Sequence, residues 1–366
     1  MGFRCGIVGL PNVGKSTLFN ALSATAAAEA ANYPFCTVEP NTGRVAVPDE
    51  RLETVARLAG SARVVPAQLE FVDIAGLVEG ASRGEGLGNR FLAHIREVDA
   101  ILHVLRCFED DDVAHVAGRV DPSADAEVVE TELMLADLES LERRREGLVK
   151  RARGADREAT ALLALVERLI GHLAEGRPAR AFPLADAERA AFRTLQLLTA
   201  KPVLYVCNVD EGAAAAGNAL TRAVAARAAA EGAGMVVISA AIEAEVARLA
   251  DAEERAAFLA ELGLAEPGLA RLIGEGYRLL GLITFFTANA KEASAWTIPR
   301  GTRAPAAAGR IHSDFERGFI AAETVAYEDY VACGGAQGAR AAGRARTEGK
   351  DYVVEDGDVI EFRFNV

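Results

Sequence analysis

The sequence predicts an α/β chain: a mostly parallel sheet, a helical hairpin inserted into it, and a small α+β module at the C-terminal end. Three observations point there. The opening stretch RCGIVGLPNVGKSTLFNALSA reads as a buried strand, a glycine-framed loop and a helix. Two later apolar stretches, AQLEFVD and KPVLYVCN, are strands that each end in a polar motif. Between them the pattern turns helical, and beyond Leu282 the elements shorten.

Bulk properties limit the function classes. The 366 residues are 51% hydrophobic and 25% charged, enough for a large core and for more than one domain. A formal net charge of −13 argues against a surface that coats nucleic acid indiscriminately, so DNA is not an expected partner, while a local basic patch stays open. Cys5, Cys36, Cys107, Cys207 and Cys333 are scattered without a C-x-x-C pair, which points to a reducing cytoplasm rather than to disulfides or zinc. A charged-then-apolar leader and an 18-residue apolar run are both missing, so neither secretion nor a membrane is expected.

The first loop, Gly9-Leu10-Pro11-Asn12-Val13-Gly14-Lys15-Ser16, fits G-x-x-x-x-G-K-[ST], the phosphate loop of P-loop NTPases. Backbone N–H groups from Asn12 to Thr17 are expected to form an anion nest at a helix N-terminus. Lys15 would place a charge on the terminal phosphates and act in catalysis; the Ser16 hydroxyl would bind Mg²⁺. Gly9, Asn12, Val13, Gly14, Lys15, Ser16 and Thr17 are therefore candidate nucleotide-binding residues.

The strand Leu69–Val72 exits at Asp73, which begins D-x-x-G with Gly76. As in the D-x-x-G element of GTPase-like proteins, Asp73 would reach the metal through water, and the Gly76 amide would be free to approach a γ-phosphate. In the turn-rich NYPFCTVEPNTGRV, Thr37 is the candidate to touch Mg²⁺ and the γ-phosphate, or else an ordinary loop threonine. The base should be read after KPVLYVC, where Asn208-Val209-Asp210-Glu211 stands in place of the guanine-reading N-K-x-D. Valine replaces the lysine, and glutamate the aspartate that accepts from guanine N1–H and N2. Adenine offers neither donor, so the reason to prefer guanine is lost. Ser239-Ala240 follows another strand and is expected to close over the base.

Together GLPNVGKST, DIAGLVEGAS, ILHVLRCFEDDDVAHVAGRVDP and NVDE resemble the YchF/Obg-like ATPase family, with a match along the whole chain. The resemblance implies hydrolysis of ATP in preference to GTP, association with the ribosome, a helical insertion, and a C-terminal TGS domain of ubiquitin-like β-grasp fold. It also suggests His115 as the residue that approaches the γ-phosphate, since Leu77 occupies the place of the water-orienting glutamine of many GTPases; a histidine that merely holds its loop is the other reading. Asn12 either coordinates a monovalent cation, making K⁺ a candidate cofactor beside Mg²⁺, or serves turn geometry.

Residues 1–126 and 200–281 are expected to form the discontinuous nucleotide domain. The 127–199 segment should be the helical insertion, with Met134, Leu138, Leu141 and Leu148, then Leu162, Val166, Leu169 and Leu173, on helical faces. Residues 282–366 form the α+β module, with strands at LITFFTA, AWTIP, AAETVAY, DYVVEDG and DVIEFRFNV and a helix over 311–319. The expected partners are ATP and, through arm and C-terminal module, the ribosome or its RNA. A GTP-specific Obg-type GTPase and a nucleotide-gated RNA or protein adaptor with incidental hydrolysis are the alternatives.

Overall fold

The computed structural model describes residues 3–30, 41–74, 87–110, 118–154, 156–249 and 251–365. Its strands are β1 (Arg4–Val8), β2 (Thr42–Ala46), β3 (Val64–Val65), β4 (Gln68–Asp73), β5 (Ala100–Arg106), β6 (Val203–Asn208), β7 (Gly234–Ile238), β8 (Leu282–Ala288), β9 (Ala293–Pro299), β10 (Phe319–Val325), β11 (Arg346–Glu348) and β12 (Val359–Phe364).

The first sheet runs β2-β4-β1-β5-β6-β7, parallel throughout except for the antiparallel β2–β4 pair. β5 and β6 are buried along their whole length, which is why AILHVLR and VLYVCN read as near-continuous apolar runs rather than alternating ones. In such a sheet a ligand sits beyond the carboxyl ends of the strands. The phosphate loop after β1, Asp73 at the end of β4 and Asn208 at the end of β6 all lie at that edge.

The insertion is built on two long helices, Pro122–Arg153 and Arg157–Ala174, followed by the short helix Arg189–Thr194. Asp121 caps the first through Ala124 N, and Asp156 caps the second through Ala159 N at 3.0 Å. Thirty-two residues of helix span about 48 Å. Leu141, Leu148, Val166, Leu169 and Leu173 form a core of the arm's own, closed by Leu195 and Leu197 of the returning chain. At its base the Asp137 carboxylate, 1% exposed, accepts from Leu198 N, Thr199 N and Thr199 Oγ1 at 2.7–2.8 Å. Three donors compensate a buried charge that would otherwise be costly to desolvate, and they fix where the arm leaves the sheet.

The second sheet runs β11-β10-β12-β8-β9-β3. Its last strand comes from the first domain: Val64 and Val65 pair in parallel with Ala293 and Ser294. The helix Glu50–Ala59 packs beside them, and Arg51 joins Asp49 (2.8 Å) to Asp356 (2.9 Å). Ala62 N donates to Ala290 O and Ala293 N to Arg63 O. The C-terminal sheet is thus fastened to the stretch between β2 and β4.

Two local expectations differ from the structure. Instead of one helix over 311–319 there are two, Ala304–Ile311 and Ser313–Arg317, and Phe319 opens β10. Pro305 in the first turn marks the true start, a position where the missing N–H costs nothing. DYVVEDG is not a strand. It forms one bridge, Arg303 to Val353, then turns at Gly357, whose φ of 90° ends any extended run.

Candidate functional site

The phosphate loop is shaped by close approaches. A Cβ on Gly9 would lie 2.7 Å from Val104 O, so only glycine lets the loop leave β1 against β5. Gly14 has φ 91°, and a Cβ there would lie 2.1 Å from Asn208 Nδ2. Asn12 adopts φ 61°, the left-handed conformation that asparagine tolerates. The helix Lys15–Ala30 begins at once, with Leu18 and Leu22 buried beneath it, so its first N–H groups and its dipole face the loop. Lys15 Nζ lies 2.6 Å from Asp73 Oδ1.

On the other side, Asn208 is 6% exposed and holds three elements. Its Nδ2 donates to Val13 O and its Oδ1 accepts from Ala240 N, both at 2.9 Å, while its carbonyl accepts from Cys107 N at 2.7 Å. Val209 is buried, and its N–H donates to Ile238 O. Asp210 Oδ1 accepts from Ala213 N at 2.9 Å and caps the turn Glu211–Ala213, leaving Glu211 exposed at the rim. Ser239 is 2% exposed, and its Oγ has no hydrogen-bond partner among the described residues. A buried hydroxyl without a partner suits a polar ligand that supplies one. Below the site a hydrogen bond with Cys207, and then burial, push the Cys107 thiol up, so it is a packed, protonated group.

These parts enclose a cavity of about 1050 Å³, large enough for a nucleotide. Asn12, Gly14, Lys15, Ser16, Thr17, Asn208, Val209, Glu211, Ser239 and Ala240 line it together, and Asp73 is joined to them through Lys15. Gly9 and Val13 do not line it: Gly9 closes the turn, and Val13 sends its side chain into the core and its carbonyl to Asn208. Thr37, Gly76, Leu77 and His115 lie outside the described residues. Sequence reasoning missed a wall formed by Phe108, Glu109 and Asp110. The phrase RCFEDDD after an apolar strand was the available signal, but no spacing rule assigns it.

Among the described residues no three His, Cys, Asp or Glu side chains assemble as a metal cage. One hydroxyl and one carboxylate, Ser16 and Asp73, fit a hard ion that keeps most of its ligands as phosphate oxygen and water.

Comparison with known proteins agrees over the whole length. Residues 4–209 match the family described as 50S ribosome-binding GTPase, and residues 282–365 match the YchF C-terminal family, described as a protein of unknown function. The chain is 55% identical over 366 residues to the ribosome-binding ATPase YchF of Escherichia coli O157:H7 and 52% identical over 368 residues to that of Bacillus subtilis (strain 168), covering 100% of both chains in each case. The solved structure of the Schizosaccharomyces pombe YchF GTPase superposes with a TM-score of 0.90 at 38% identity, covering 99% of this chain and 98% of that one. The chain therefore belongs to the YchF family of P-loop NTPases.

Proposed function

We propose that the chain is a Mg²⁺-dependent ATPase switch protein of the cytoplasm that associates with the ribosome. The arrangement of Asn208–Glu211 carries the preference for ATP over GTP. Asn208 is committed to Val13 and Ala240, Asp210 to Ala213, and Val209 to the interior. Of the two carboxylates that border the cavity in this segment, Asp210 caps its own turn and Glu211 stands displaced at the exposed rim, so guanine finds no placed acceptor for N1–H and N2, and adenine does not need one. The relatives named ribosome-binding ATPase support the same reading.

In this reading the nest and Lys15 hold the β- and γ-phosphates, and Ser16 with Asp73 would hold Mg²⁺, which supplies charge neutralisation when bound. The loops with Thr37 and Gly76 sense the γ-phosphate, and His115 approaches it. K⁺ enters only through Asn12, whose φ of 61° already accounts for the asparagine on turn geometry. The C-terminal module is read as a TGS domain. Arg145, Lys150, Arg153 and Arg157 crowd the exposed end of the arm and make no ion pair among the described residues, a cationic surface suited to ribosomal RNA. Leu77 favours a second reading, a nucleotide-gated adaptor with incidental turnover.

Titration of nucleotide-free protein with fluorescent ATP and GTP analogues in Mg²⁺, with and without K⁺, tests the base preference. ATP should bind about tenfold tighter, about 1.4 kcal/mol. Tighter GTP binding makes the protein a GTPase, and single-turnover hydrolysis with and without ribosomes separates a working ATPase from the adaptor.

A further inference from the structure

Arg106, the last residue of β5, is 2% exposed, yet its guanidinium is turned toward the cavity wall rather than away from it. Nε donates to Phe108 O at 3.2 Å and Nη2 to Asp110 O at 3.1 Å. Its Cζ lies 4.7 Å from the centroid of the Phe108 ring. One side chain therefore reaches along its own chain, grips the carbonyls two and four residues on, and lies over the ring of the first of them.

The gripped residues, Phe108 to Asp110, are the wall of the cavity that neither the phosphate loop nor the base motif supplies. Cys107 places this wall beside the base motif: its N–H donates to Asn208 O at 2.7 Å, and its carbonyl accepts from Asn218 Nδ2 at 2.6 Å. Arg106 and Asn208 are register partners across β5 and β6. The phosphate side has bonds of its own, Asn208 Nδ2 to Val13 O and Lys15 Nζ to Asp73 Oδ1. Two donors at a fixed angle and a flat face for stacking are properties of a guanidinium and not of an ammonium group, so lysine cannot replace all three contacts.

We propose that Arg106 is a positioning residue that holds Phe108–Asp110 as the wall against the nucleoside part of the ligand, and so sets affinity for base and ribose without acting on the phosphates. The proposal rests on reading the cavity as a nucleotide site.

The test compares Arg106→Lys, which keeps the charge, and Arg106→Gln with the wild-type protein, titrating each with Mg·ATP, Mg·GTP and inorganic tripolyphosphate. Both variants should lose ATP affinity by about tenfold or more. Arg106→Lys should keep its affinity for tripolyphosphate within about twofold. Unchanged ATP binding in both variants overturns the proposal, as does a parallel loss of ATP and tripolyphosphate in Arg106→Lys, which would mean general damage or a charge effect. Should neither variant unfold cooperatively, hydrogen exchange on the wild-type protein decides: the Glu109 and Asp110 amides should gain protection with ATP and not with tripolyphosphate, and equal protection overturns the assignment. Tighter wild-type binding of GTP would remove the ATP reading alone, because the variant-to-wild-type ratio can still be measured with GTP. A wild-type protein that binds none of the three ligands overturns both.

Discussion

Lys15 and Asp73 meet at 2.6 Å, Nζ to Oδ1, and so connect the phosphate loop to the exit of β4. Both side chains are largely enclosed, at 11% and 20% exposure, so the pair is less screened than a surface ion pair. In the proposed reading each is also a group that the site's chemistry calls on, Lys15 for phosphate and Asp73 for the metal. Asp73→Asn should therefore leave ATP binding in EDTA intact while lowering the enhancement by Mg²⁺ about tenfold. Titration with and without EDTA checks this. An undiminished Mg²⁺ effect would take Asp73 out of the metal site.

Gly14→Ala should damage the site in two ways. The backbone is in the left-handed region at φ 91°, and the new methyl would meet Asn208 Nδ2, displacing the amide that holds Val13 O and Ala240 N. A loss of about 1–3 kcal/mol in stability is expected, together with a loss of more than about tenfold in ATP affinity. Gly60→Ala is the control. It has φ 64° with nothing within 4 Å of the added carbon, so it should cost about 1 kcal/mol of stability and leave ATP binding unchanged. Urea unfolding and nucleotide titration of both variants separate strain from site damage.

His103 predicts a pH dependence unrelated to catalysis. It lies in β5 opposite Tyr205, 4% exposed, with its Nε2 unpartnered among the described residues. Burial, with Arg227 and Arg180 nearby, pushes its pKa down from 6.5 to about 3. The folded state thus refuses a proton that the unfolded chain takes up. Stability is fully present above the unfolded value and falls as pH drops from 6.5 toward 3, by at most about 1.4 kcal/mol per pH unit from this group. His103→Phe keeps a ring beside Tyr205 and removes the titration. Urea unfolding at neutral pH and near pH 5 should show a smaller acid loss in the variant than in the wild-type protein, and equal losses would contradict the assignment.

What was legible in the sequence follows from how local each cause is. The phosphate loop, Asp73 and Asn208 could be placed because each is a short motif at the end of an apolar strand. That Asn208 fastens Val13 to Ala240 could not, since its partners are 195 and 32 residues away and nothing local records them. Two valines between turns have no period to read, so β3 was invisible until β9 supplied its pairing. Phe108–Asp110 follows the strand without turn or cap chemistry of its own. Its shape comes from Arg106 reaching forward from the strand end, a side-chain interaction that periodicity does not encode.

Arg51 tests the joint between the two sheets. Its guanidinium bridges Asp49 and Asp356 and lies 5.5 Å from the Phe286 ring centroid, while Asp356 Oδ1 also accepts from Thr284 N at 2.8 Å. The helix it belongs to connects β2 to β4, and these strands meet at the nucleotide edge, where Asp73 N donates to Asn41 O. The Asp356 carboxylate is 41% exposed, so solvent screens its share of the bridge, and Arg51→Ala should cost about 1 kcal/mol. The loss should be local. Hydrogen exchange should quicken in β8, β9 and β12, with ATP affinity unchanged, because Asn41 and Asp73 keep their bond whether or not the distant joint is tight. A shift in ATP affinity in this variant would instead mean that the C-terminal sheet and the nucleotide edge move as one unit through the β2–β4 pair, with Arg51 as part of the linkage.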